Sequence, residues 1–598
     1  MCGIAGHWRR DGANADTARV ERIGAAIAHR GPDAMGIHAA GPVCLLSQRF
    51  SLEDHDGGAQ PASYRGITVV WNGEIFNWRE LAFRHGLEEV SGDTVLLPRL
   101  LSHCGPEIIA EFNGQFAIAA WDERRRRLIL ARDAAGILPL LYRETPDEIV
   151  FASELCGMLA DPQTPRELDE DAITYFLRMG FFPAPETPLA NVRQLEPGAI
   201  LTVRPDMLEK RFFGLPRFHP GFRGTLRDAA SSLANLMHAA VSRRLSTESP
   251  DGLFLSGGVD SGLIAAVLRK MRVERPSYTV GFEGSGSTRD YHFKDSFERR
   301  SEVFSEADLA DQTAESLGAP RPVHVTAGAA ALTASFPEAV RRQDIPCMSI
   351  SSPPLYFLTK RAAVDIRVAL SGGGADELFA GYAHCDPRHY ESGGSTIEKY
   401  LELVQVFSPE ELAAIGSPLA DRAKAVREAV HMQTTWAGNG VAEGLPFVLA
   451  TERLGPLPQN ILLKNDRIGM ANPLEMRYPF LDSEIVAFAQ RLPHHLLVGE
   501  GGGKLVVKEA AKLLGVPHEI AYRPKIRLQA PYATYLDDPA HADYFARLIA
   551  DPPDFGRRLY DPEKAIALLF GPACRSVWRR PAKIMLLATW NLWLAGLT

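Results

Sequence analysis

The chain has 598 residues, 46% hydrophobic and 23% charged, which is the composition of a soluble globular protein too long for one hydrophobic core. A net charge of −8 at pH 7 argues against a nucleic-acid-binding protein, because phosphate contacts need a basic surface. Seven cysteines without Cys-x-x-Cys spacing argue against a disulfide scaffold or a zinc ribbon.

The chain also lacks the patterns of secreted and membrane proteins. No charged segment followed by an apolar one opens it, and the longest apolar run, 584–597, is too short to span a bilayer and contains Asn591. This run is more typical of a buried terminal helix. We therefore expect a cytoplasmic protein with reduced thiols that binds neither nucleic acid nor membrane.

The predicted elements fall into two regions. Up to about residue 155, short β-type runs such as ITVVWNGEIF, GQFAIAAWD and RLILARD alternate with Gly, Asn and Asp, which predicts mostly antiparallel sheet. A proline-rich stretch near 180–215 predicts a linker or domain seam. From about 225, long helical patterns alternate with short apolar runs, which predicts strand–loop–helix units of a parallel sheet.

The first region carries candidate catalytic residues. Removal of Met1 would leave Cys2 with a thiol and a free α-amine on one residue, which combines a nucleophile with a base. Asn72 and Gly73, in NGEIFN, could form an oxyanion hole from an amide side chain and a backbone N–H; a hairpin turn is the alternative. Arg49 could clamp a substrate carboxylate with two parallel donors, or form an ordinary ion pair.

The second region carries a phosphate-binding pattern in LFLSGGVDSGLIAAVL, residues 253–268. An apolar strand leads into a Ser-Gly-Gly loop, and Asp260 and Ser261 open an apolar helix, so the backbone and the helix N-terminus can cradle an anion. The loop lacks the lysine of a Walker A motif. It therefore predicts binding of pyrophosphate and cleavage of ATP between its α and β phosphates, the alternative being a simple glycine turn.

A second glycine loop follows another strand in VALSGGGADELFAGY, residues 368–382. Two such loops in one parallel sheet can face one ligand at its carboxyl edge. Asp260 and Asp376 are then candidate Mg²⁺ ligands shared with the phosphates, although Asp376 alone could be a helix cap.

Together these motifs resemble the glutamine-hydrolysing asparagine synthetase family over nearly the whole chain. The motifs are MCGIAG, HRGPD, NGEI, SGDT, ARDAAGILPLLY, FASE, SGGVDS, SGGGADELFAGY, LLKNDRIGMANPLEMRYPFLD and YRPK. The resemblance implies an α/β protein with a four-layer αββα, Ntn-type class II glutamine amidotransferase domain over 1–210. It implies a parallel-sheet, ATP-pyrophosphatase-type (adenine nucleotide α-hydrolase-like) amide ligase domain over 211–598. The implied ligands are glutamine, ATP as substrate, Mg²⁺ and a carboxylic acid acceptor, and the oligomeric state, a homodimer included, is left open.

The resemblance also implies roles at the glutamine site. Cys2 would attack the glutamine side-chain amide, and its α-amine would move the proton, since an α-amine with a pKa of ~7.7–8.0 is partly unprotonated at pH 7. Asn72 and Gly73 would form the oxyanion hole. The implied ligands of the bound glutamine are Arg49 for its carboxylate, and Glu74 and Asp93 for its ammonium group.

At the ATP site the resemblance implies a set of residues around the adenylate and the pyrophosphate: Leu255, Ser256, Gly257, Gly258, Asp260, Ser261, Val280, Ser371 and Gly372. Lys525, in YRPK, would stabilise the charge that develops during adenylation. Lys464 and Arg467 lie in a helix-like stretch and could also face the phosphates, or pair with Glu475 or Asp482.

Departures from the family pattern cluster around the acceptor. Gly373 stands where the family usually has Asp or Glu, and the segment 343–354 offers Asp344 as its one acid. Arg341 and Arg342 lie just upstream and would favour an anionic or neutral acceptor if they faced the pocket; a solvated helix face is the alternative. Aspartate is the default acceptor, and a specialised carboxylic acid is the second candidate.

Two other functions stay open at this point. An intramolecular amide-forming cyclase of the β-lactam synthetase type would keep the fold, but would have no use for an intact glutaminase. A non-catalytic glutamine or nucleotide sensor would have to explain two complete catalytic sets.

Overall fold

A computed structural model shows the fold and describes residues 2–55, 57–283, 306–348, 350–391, 393–422, 426–430, 443–500, 502–523, 530–574 and 577–597. The predictions for Met1 and Lys525 lie outside the described residues.

Two antiparallel six-stranded sheets form the first part of the chain. The first sheet contains β1 (Gly3–Arg9), β2 (Ala34–Ala40), β3 (Val43–Arg49), β8 (Leu141–Glu144), β9 (Glu148–Ala152) and β10 (Arg193–Gln194), in the order β10-β8-β9-β1-β3-β2. The second contains β4 (Ala62–Tyr64), β5 (Ile67–Ile75), β6 (Gly114–Asp122), β7 (Arg127–Arg132), β11 (Ala199–Val203) and β12 (Leu208–Phe212), in the order β12-β11-β7-β6-β5-β4. The predicted antiparallel sheet is confirmed.

The two sheets face each other, and helices cover their outer surfaces. The rings of Trp8 in β1 and Trp121 in β6 lie 5.3 Å apart, centroid to centroid, between the sheets. The helices of this region are α1 (Thr17–Ala26), α2 (Trp78–Arg84), α3 (Asp93–Cys104), α4 (Leu155–Ala160) and α5 (Glu170–Met179). Helices α1 and α4 pack together against the first sheet, and α3 packs against β4 and β5 of the second. This is the four-layer αββα arrangement expected from the sequence.

The prediction of a linker or domain seam near 180–215 is wrong for residues 193–212. The strand β10 pairs with β8, and β11 pairs with both β7 and β12, so these residues complete both sheets. The prolines punctuate the turns between short strands instead of opening a linker.

A five-stranded, fully parallel sheet forms the centre of the second part. Its strands are β13 (Asp251–Phe254), β14 (Ser277–Phe282), β15 (Val323–Ala327), β16 (Val368–Leu370) and β17 (Glu475–Arg477), in the order β15-β14-β13-β16-β17. All strand pairs run parallel, as predicted. Their residues are buried almost throughout except in the edge strand β15, which explains the continuous apolar runs.

Helices surround this sheet. The first of them, α6, begins with a capping box between Thr225 and Asp228, which satisfies free N–H groups of its first turn. The helices are α6 (Leu226–Arg244), α7 (Val259–Met271), α8 (Glu306–Leu317), α9 (Ala329–Arg342), α10 (Ser352–Ala362), α11 (Ala375–Phe379), α12 (Thr396–Val404), α13 (Pro409–Ala414), α14 (Gly444–Leu454), α15 (Leu463–Met470), α16 (Ser483–Arg491), α17 (His494–Leu497), α18 (Leu505–Leu513), α19 (His518–Ala521), α20 (Tyr532–Tyr535), α21 (Pro539–Ala550), α22 (Asp554–Leu559), α23 (Pro562–Phe570) and α24 (Arg580–Leu597).

Helix α24 contains the apolar run near the C-terminus, and its residues from Ile584 to Ala588 are fully buried, as expected of a terminal core helix. Along the described ranges, no helix combines the length and apolar character needed to cross a membrane. All seven cysteines are free thiols, which agrees with the sequence-based expectation.

A buried ion pair and a buried hydrogen bond join the two parts of the molecule. Arg30, fully buried, binds both Glu154 at 2.6 Å and Asp466 of α15 at 2.8 Å. Asn113 donates to Asp482 at 3.0 Å. Breaking the buried Arg30–Asp466 pair would leave an uncompensated charge and cost about 3–5 kcal/mol, so this contact stabilises the association of the two parts.

Candidate active sites

Cys2 lies buried at the start of β1, beside β5. Its backbone N–H donates to Oδ1 of Asn72 at 2.6 Å, and Nε2 of Gln60 lies 4.0 Å from its Sγ. Burial raises the pKa of the Cys2 thiol, while the backbone N–H of Phe50 and the charge of Arg49 act in the opposite direction. A buried neutral thiol needs a base beside it to become a nucleophile.

Asn72 and Gly73 belong to β5, so the hairpin-turn alternative is wrong. Nδ2 of Asn72 is buried and finds no hydrogen-bond acceptor among the described residues, although Oδ1 is bound to Cys2. An unpaired buried donor next to a thiol is what an oxyanion hole requires, because its partner arises only during the reaction. Gly73 has φ of +139°, and a Cβ there would lie 1.9 Å from the carbonyl oxygen of Gln115, so only glycine fits.

Arg49 ends β3 and turns its guanidinium toward a loop. It donates to the carbonyl oxygens of Asp54 at 2.8 Å and His55 at 3.2 Å, and it makes no ion pair with a described carboxylate. The ion-pair alternative is therefore not found in the described part of the chain. The cation keeps its net charge available for an anionic partner.

Glu74, which is half-buried, and Asp93, which is buried, form a pair of carboxylates. Asp93 opens α3, and its Oδ2 accepts the backbone N–H of Ile75 at 3.0 Å. Burial raises the pKa of Asp93 to about 7. Burial and the charge of Asp93 raise the pKa of Glu74 as well, against the attraction of Arg477, whose Nη2 lies 3.5 Å from Glu74 Oε1. Two acids that resist ionisation together are poised to receive a cation.

The two glycine loops of the second part meet at the carboxyl edge of the parallel sheet, as predicted. The strands β13 and β16 are neighbours in register, with Leu253 opposite Leu370. A Cβ on Gly372 would lie 2.8 Å from the Cβ of Asp260 and 3.1 Å from the backbone nitrogen of Ser261. The glycine thus permits direct contact of the loops.

The first loop, 256–261, is held by its own serines. The hydroxyl of Ser261 lies 3.2 Å from both the backbone nitrogen and the hydroxyl of Ser256, and it donates to the carbonyl of Gly258 at 3.3 Å. Gly257 has φ of +73°, and a Cβ there would lie 2.5 Å from Leu309. The backbone N–H groups that open α7 therefore face the loop in a fixed conformation.

The residues expected around an adenylate lie on adjacent strands. Leu255 directly follows β13 and is buried, and its N–H donates to the carbonyl of Tyr278 at 3.0 Å. Val280 is a buried residue of β14. Ser371 follows β16 and donates its N–H to the carbonyl of Arg477 at 2.9 Å. The structure thus brings these positions to one edge.

Asp260 and Asp376 converge on Lys504, a residue that sequence reasoning missed. Nζ of Lys504 lies 2.5 Å from Asp260 Oδ2 and 2.7 Å from Asp376 Oδ1, and these carboxylates raise its pKa. The helix-cap alternative for Asp376 is wrong, since Gly374 occupies the cap position and Asp376 lies in the first turn of α11. Two carboxylates that share one cation fit the donor set of Mg²⁺, which takes few carboxylates plus phosphate oxygens.

Lys464 and Arg467 have other partners than the pairing alternative gave them. Nζ of Lys464, on the first turn of α15, donates to the hydroxyl of Ser351 at 2.6 Å. Nε of Arg467 lies 3.2 Å from Asp344. The alternative pairing of these two residues with Glu475 or Asp482 is wrong.

Asp482 is taken by two arginines of α6, Arg243 and Arg244, and Glu475 by Arg477 at 2.6 Å. The helices α10 and α15 each lead into a strand of the parallel sheet, so Ser351 and Lys464 lie at its carboxyl edge.

The acceptor-side arginines do not form a pocket. Arg341 and Arg342, at the end of α9, both pair with Glu338 of the same helix, and the side chain of Arg341 is 74% exposed. The solvated-helix alternative holds. Asp344, the one acid of 343–354, is buried and accepts the backbone N–H groups of Leu155 and Cys156 in the first part of the chain.

Gly373 faces an aromatic wall. A Cβ at this position would lie 3.0 Å from the ring of Tyr478, which follows β17. Tyr478 is buried, and burial raises the pKa of its hydroxyl. Position 373 therefore carries no side-chain carboxylate and lies against the ring of Tyr478.

Four functional candidates were not predicted from sequence: Gln60, Arg477, Tyr478 and Lys504. Lys504 follows the glycine run 501–503, a signal that could have singled it out. Arg477 and Tyr478 stand within a motif that carried the resemblance, but nothing in the letters assigns them partners from distant segments.

Comparisons with known proteins agree with this arrangement. Residues 232–595 match the family described as asparagine synthase, and residues 1–213 match the glutamine amidotransferase domain. A relative named glutamine-hydrolyzing asparagine synthetase 1, from Bacillus subtilis, is 29% identical over 94% of this chain and 95% of its own. Another from that organism, named glutamine-hydrolyzing asparagine synthetase 3, is 25% identical over 88% of this chain and 86% of its own.

Proposed function

The chain belongs to the asparagine synthase family, and on that premise we propose that it is a cytoplasmic, glutamine-dependent amide ligase. Residues 1–210 would release ammonia from glutamine, and residues 211–598 would activate an acceptor carboxylate with ATP. The products are an amide, AMP, pyrophosphate and glutamate.

The observation that carries the proposal is the arrangement of Asn72 against Cys2. The Oδ1 atom of Asn72 holds the backbone nitrogen of Cys2, while its Nδ2 points an unused donor into the same buried place. Once Met1 is removed, that nitrogen is the amine that takes the thiol proton. The thiolate then attacks the glutamine amide, and Nδ2 of Asn72 and the N–H of Gly73 stabilise the oxyanion.

Glutamine is held by charges at its other end. The cation of Arg49 receives the α-carboxylate, and Glu74 and Asp93 receive the ammonium group. The raised pKa values of these two carboxylates fit this role, because a bound ammonium removes the repulsion between them.

The loops at the carboxyl edge of the parallel sheet would bind ATP. The loop 256–261 takes the pyrophosphate, and Leu255, Val280, Ser371 and Gly372 surround the adenosine and its α-phosphate. Lys504 lies beside the same loop and supplies a cation to the departing pyrophosphate. Lys525 keeps the role that the family resemblance implies, stabilisation of the charge on the α-phosphorus.

Asp260 and Asp376 would hold Mg²⁺, which when bound neutralises charge on the phosphates. Lys504 occupies the space between these carboxylates and neutralises them when ATP is absent. Asp260 and Asp376 would be the carboxylates that hold the metal, and Lys504 would then pair with phosphate oxygens instead.

The names of the relatives, asparagine synthetases, indicate the acceptor, so aspartate is the first candidate. A specialised acid without an ammonium group is favoured by Gly373, which leaves no side-chain carboxylate at that place. Lys464, a buried ammonium with a hydroxyl as its hydrogen-bond partner, offers an anchor for a second anionic group of such an acid.

The cyclase and sensor alternatives are weaker. A cyclase makes its amide from an internal amine and needs no glutaminase, yet Cys2 and Asn72 are assembled here. A sensor needs no unpaired oxyanion donor. The homodimer stays a prediction.

The test is amide synthesis with two nitrogen donors in Cys2→Ala. We expect loss of glutamine-dependent synthesis, retention of ammonia-dependent synthesis within about twofold, and AMP with pyrophosphate as the nucleotide products. A carboxylic acid panel scored by pyrophosphate release finds the acceptor. Equal loss with both donors, or ADP as the product, would refute the proposal.

A further inference from the structure

Arg477 touches both candidate sites. Its side chain is 2% exposed and lies among three carboxylates, Glu475 at 2.6 Å, Glu74 at 3.5 Å and Glu53 at 3.7 Å. Its Nη2 has no hydrogen-bond partner in the described part of the chain, so the contact with Glu74 is an ion pair without hydrogen-bond geometry. Glu74 is a proposed ligand of the glutamine ammonium group.

The backbone of the same residue belongs to the ATP edge. Its carbonyl, at the end of β17, accepts the N–H of Ser371 at 2.9 Å, and Ser371 opens the second glycine loop. The next residue, Tyr478, forms the wall behind Gly373. One residue therefore contacts a glutamine ligand with its side chain and fixes the adenylate loop with its main chain.

We propose that Arg477 is a positioning residue that couples glutamine occupancy to the adenylation loop through its Glu74 contact and its hydrogen bond to Ser371. This inference rests on the proposed function, because it needs glutamine at Glu74 and ATP at Ser371. Among the described residues, Arg477 alone combines an ion pair with Glu74 and a main-chain hydrogen bond to Ser371.

Charge explains why glutamine would move Arg477. In the free protein one guanidinium faces three carboxylates, and its attraction to Glu74 opposes the repulsion from Asp93. A bound ammonium group takes over Glu74, so the guanidinium is drawn toward Glu475 and Glu53. Because Nε already binds Glu475, the shift of the guanidinium displaces β17, which contains both residues. Ser371 then moves with β17, because its N–H is bonded to the carbonyl of Arg477.

Coupling between two binding sites is reciprocal, so ATP must change glutamine affinity by the factor with which glutamine changes ATP affinity. The measurement is glutamine affinity by calorimetry in a Cys2→Ala background, which binds glutamine without consuming it. Titrations are run without ATP and with saturating Mg²⁺-ATP. We expect ATP to lower the Kd of glutamine by a factor of about 5 to 150, the usual range of such couplings.

Arg477→Met in this background should bring the coupling factor to about 1. Arg477→Lys keeps the charge but loses the several N–H donors of the guanidinium, so it should keep part of the coupling. The matched control is Arg244→Met. Arg244 is as buried as Arg477, and both guanidinium groups lie over the ring of Phe76, that of Arg244 at 4.4 Å from the ring centroid. Arg244 differs in that it pairs with Asp482. This control should keep the factor.

Three outcomes would overturn the inference: an unchanged factor in Arg477→Met, no ATP effect in the parent, or equal loss in Arg244→Met. Arg477→Lys decides the matter if Arg477→Met does not fold. Absence of any glutamine binding in the parent would instead refute the proposed function, so the two failures are distinguishable.

Discussion

Lys504 and Asp260 form an ion pair with 2.5 Å between Nζ and Oδ2, although 244 residues separate them in the chain. Lys504 precedes α18 with φ of +62°, a conformation that costs a non-glycine residue about 1–2 kcal/mol. The neighbouring Gly503 packs against the carbonyl of Ala380, directly after α11. The strained backbone therefore places the lysine between the two glycine loops.

Lys504→Met should impair adenylation whichever nitrogen donor is used. The substitution keeps most of the side-chain length but removes the cation beside the pyrophosphate loop, and loss of one such electrostatic contact costs roughly 10²–10³ in kcat. Pyrophosphate release with glutamine and with ammonia measures both routes.

Lys512→Met is the control for this variant. Lys512 lies in α18 too, but it pairs with Glu509 at 2.9 Å and is partly exposed. Its loss should leave both activities within about twofold. A selective loss of the glutamine route in Lys504→Met would contradict the assignment of this lysine to ATP.

The sequence predicted the residues of each candidate site better than the contacts between residues of distant segments. Glycine loops, an N-terminal cysteine and the NGEI motif are local patterns, and the structure brings each to its expected edge. Lys504 and Arg477 were not predicted because their partners belong to segments that are distant in the sequence. The 193–212 strands were missed because two-to-five-residue strands between prolines carry too little periodicity.

The affinity for glutamine should weaken as the pH falls below 7. A carboxyl with a pKa of about 7 is mostly protonated at pH 6 and then offers no charge to the glutamine ammonium group. One such group predicts a rise in KM for glutamine of roughly tenfold between pH 8 and pH 6. The measurement is glutamate release across this range.

Asp93→Asn should separate binding from stability. The pKa of folded Asp93 lies above its ordinary value, so ionisation destabilises the fold, and stability is lost as the pH rises from about 4 to about 7. The variant should therefore have a higher Tm at pH 8, a higher KM for glutamine and a flat pH profile. A KM that still rises toward pH 6 in this variant would assign the titration to another group.

Gly73→Ala should remove glutaminase activity by a steric route. The added Cβ would meet the carbonyl oxygen of Gln115 at 1.9 Å, so β5 must separate from β6 beside Asn72. We expect a loss of roughly 10²–10³ in kcat for glutamate release, with ammonia-dependent synthesis retained.

The control is Gly86→Ala, in the same domain. Gly86 also has a positive φ, +64°, but a Cβ there meets nothing within 4 Å. It should lose about 1–2 kcal/mol of stability and no glutaminase activity. Equal activities of the two alanine variants would show that the N–H of Gly73 is not needed.

The last prediction concerns the acceptor, which the sequence addressed through Gly373 and through two arginines. Both arginines pair with Glu338 and therefore say nothing about the acceptor, so the prediction now depends on Gly373 and Lys464. An aspartate acceptor brings an ammonium group that needs a carboxylate, and position 373 offers none. We expect kcat/KM for aspartate, measured with ammonia as the donor, to stay below about 10⁴ M⁻¹s⁻¹, the lower end for physiological substrates.

Gly373→Asp should raise this value, because the new carboxylate can meet the ammonium group once the Tyr478 ring yields a few tenths of an ångström. Gly373→Ala makes the same steric demand without the charge and should not raise it. Efficient use of aspartate by the unaltered protein would make plain asparagine synthesis the correct interpretation.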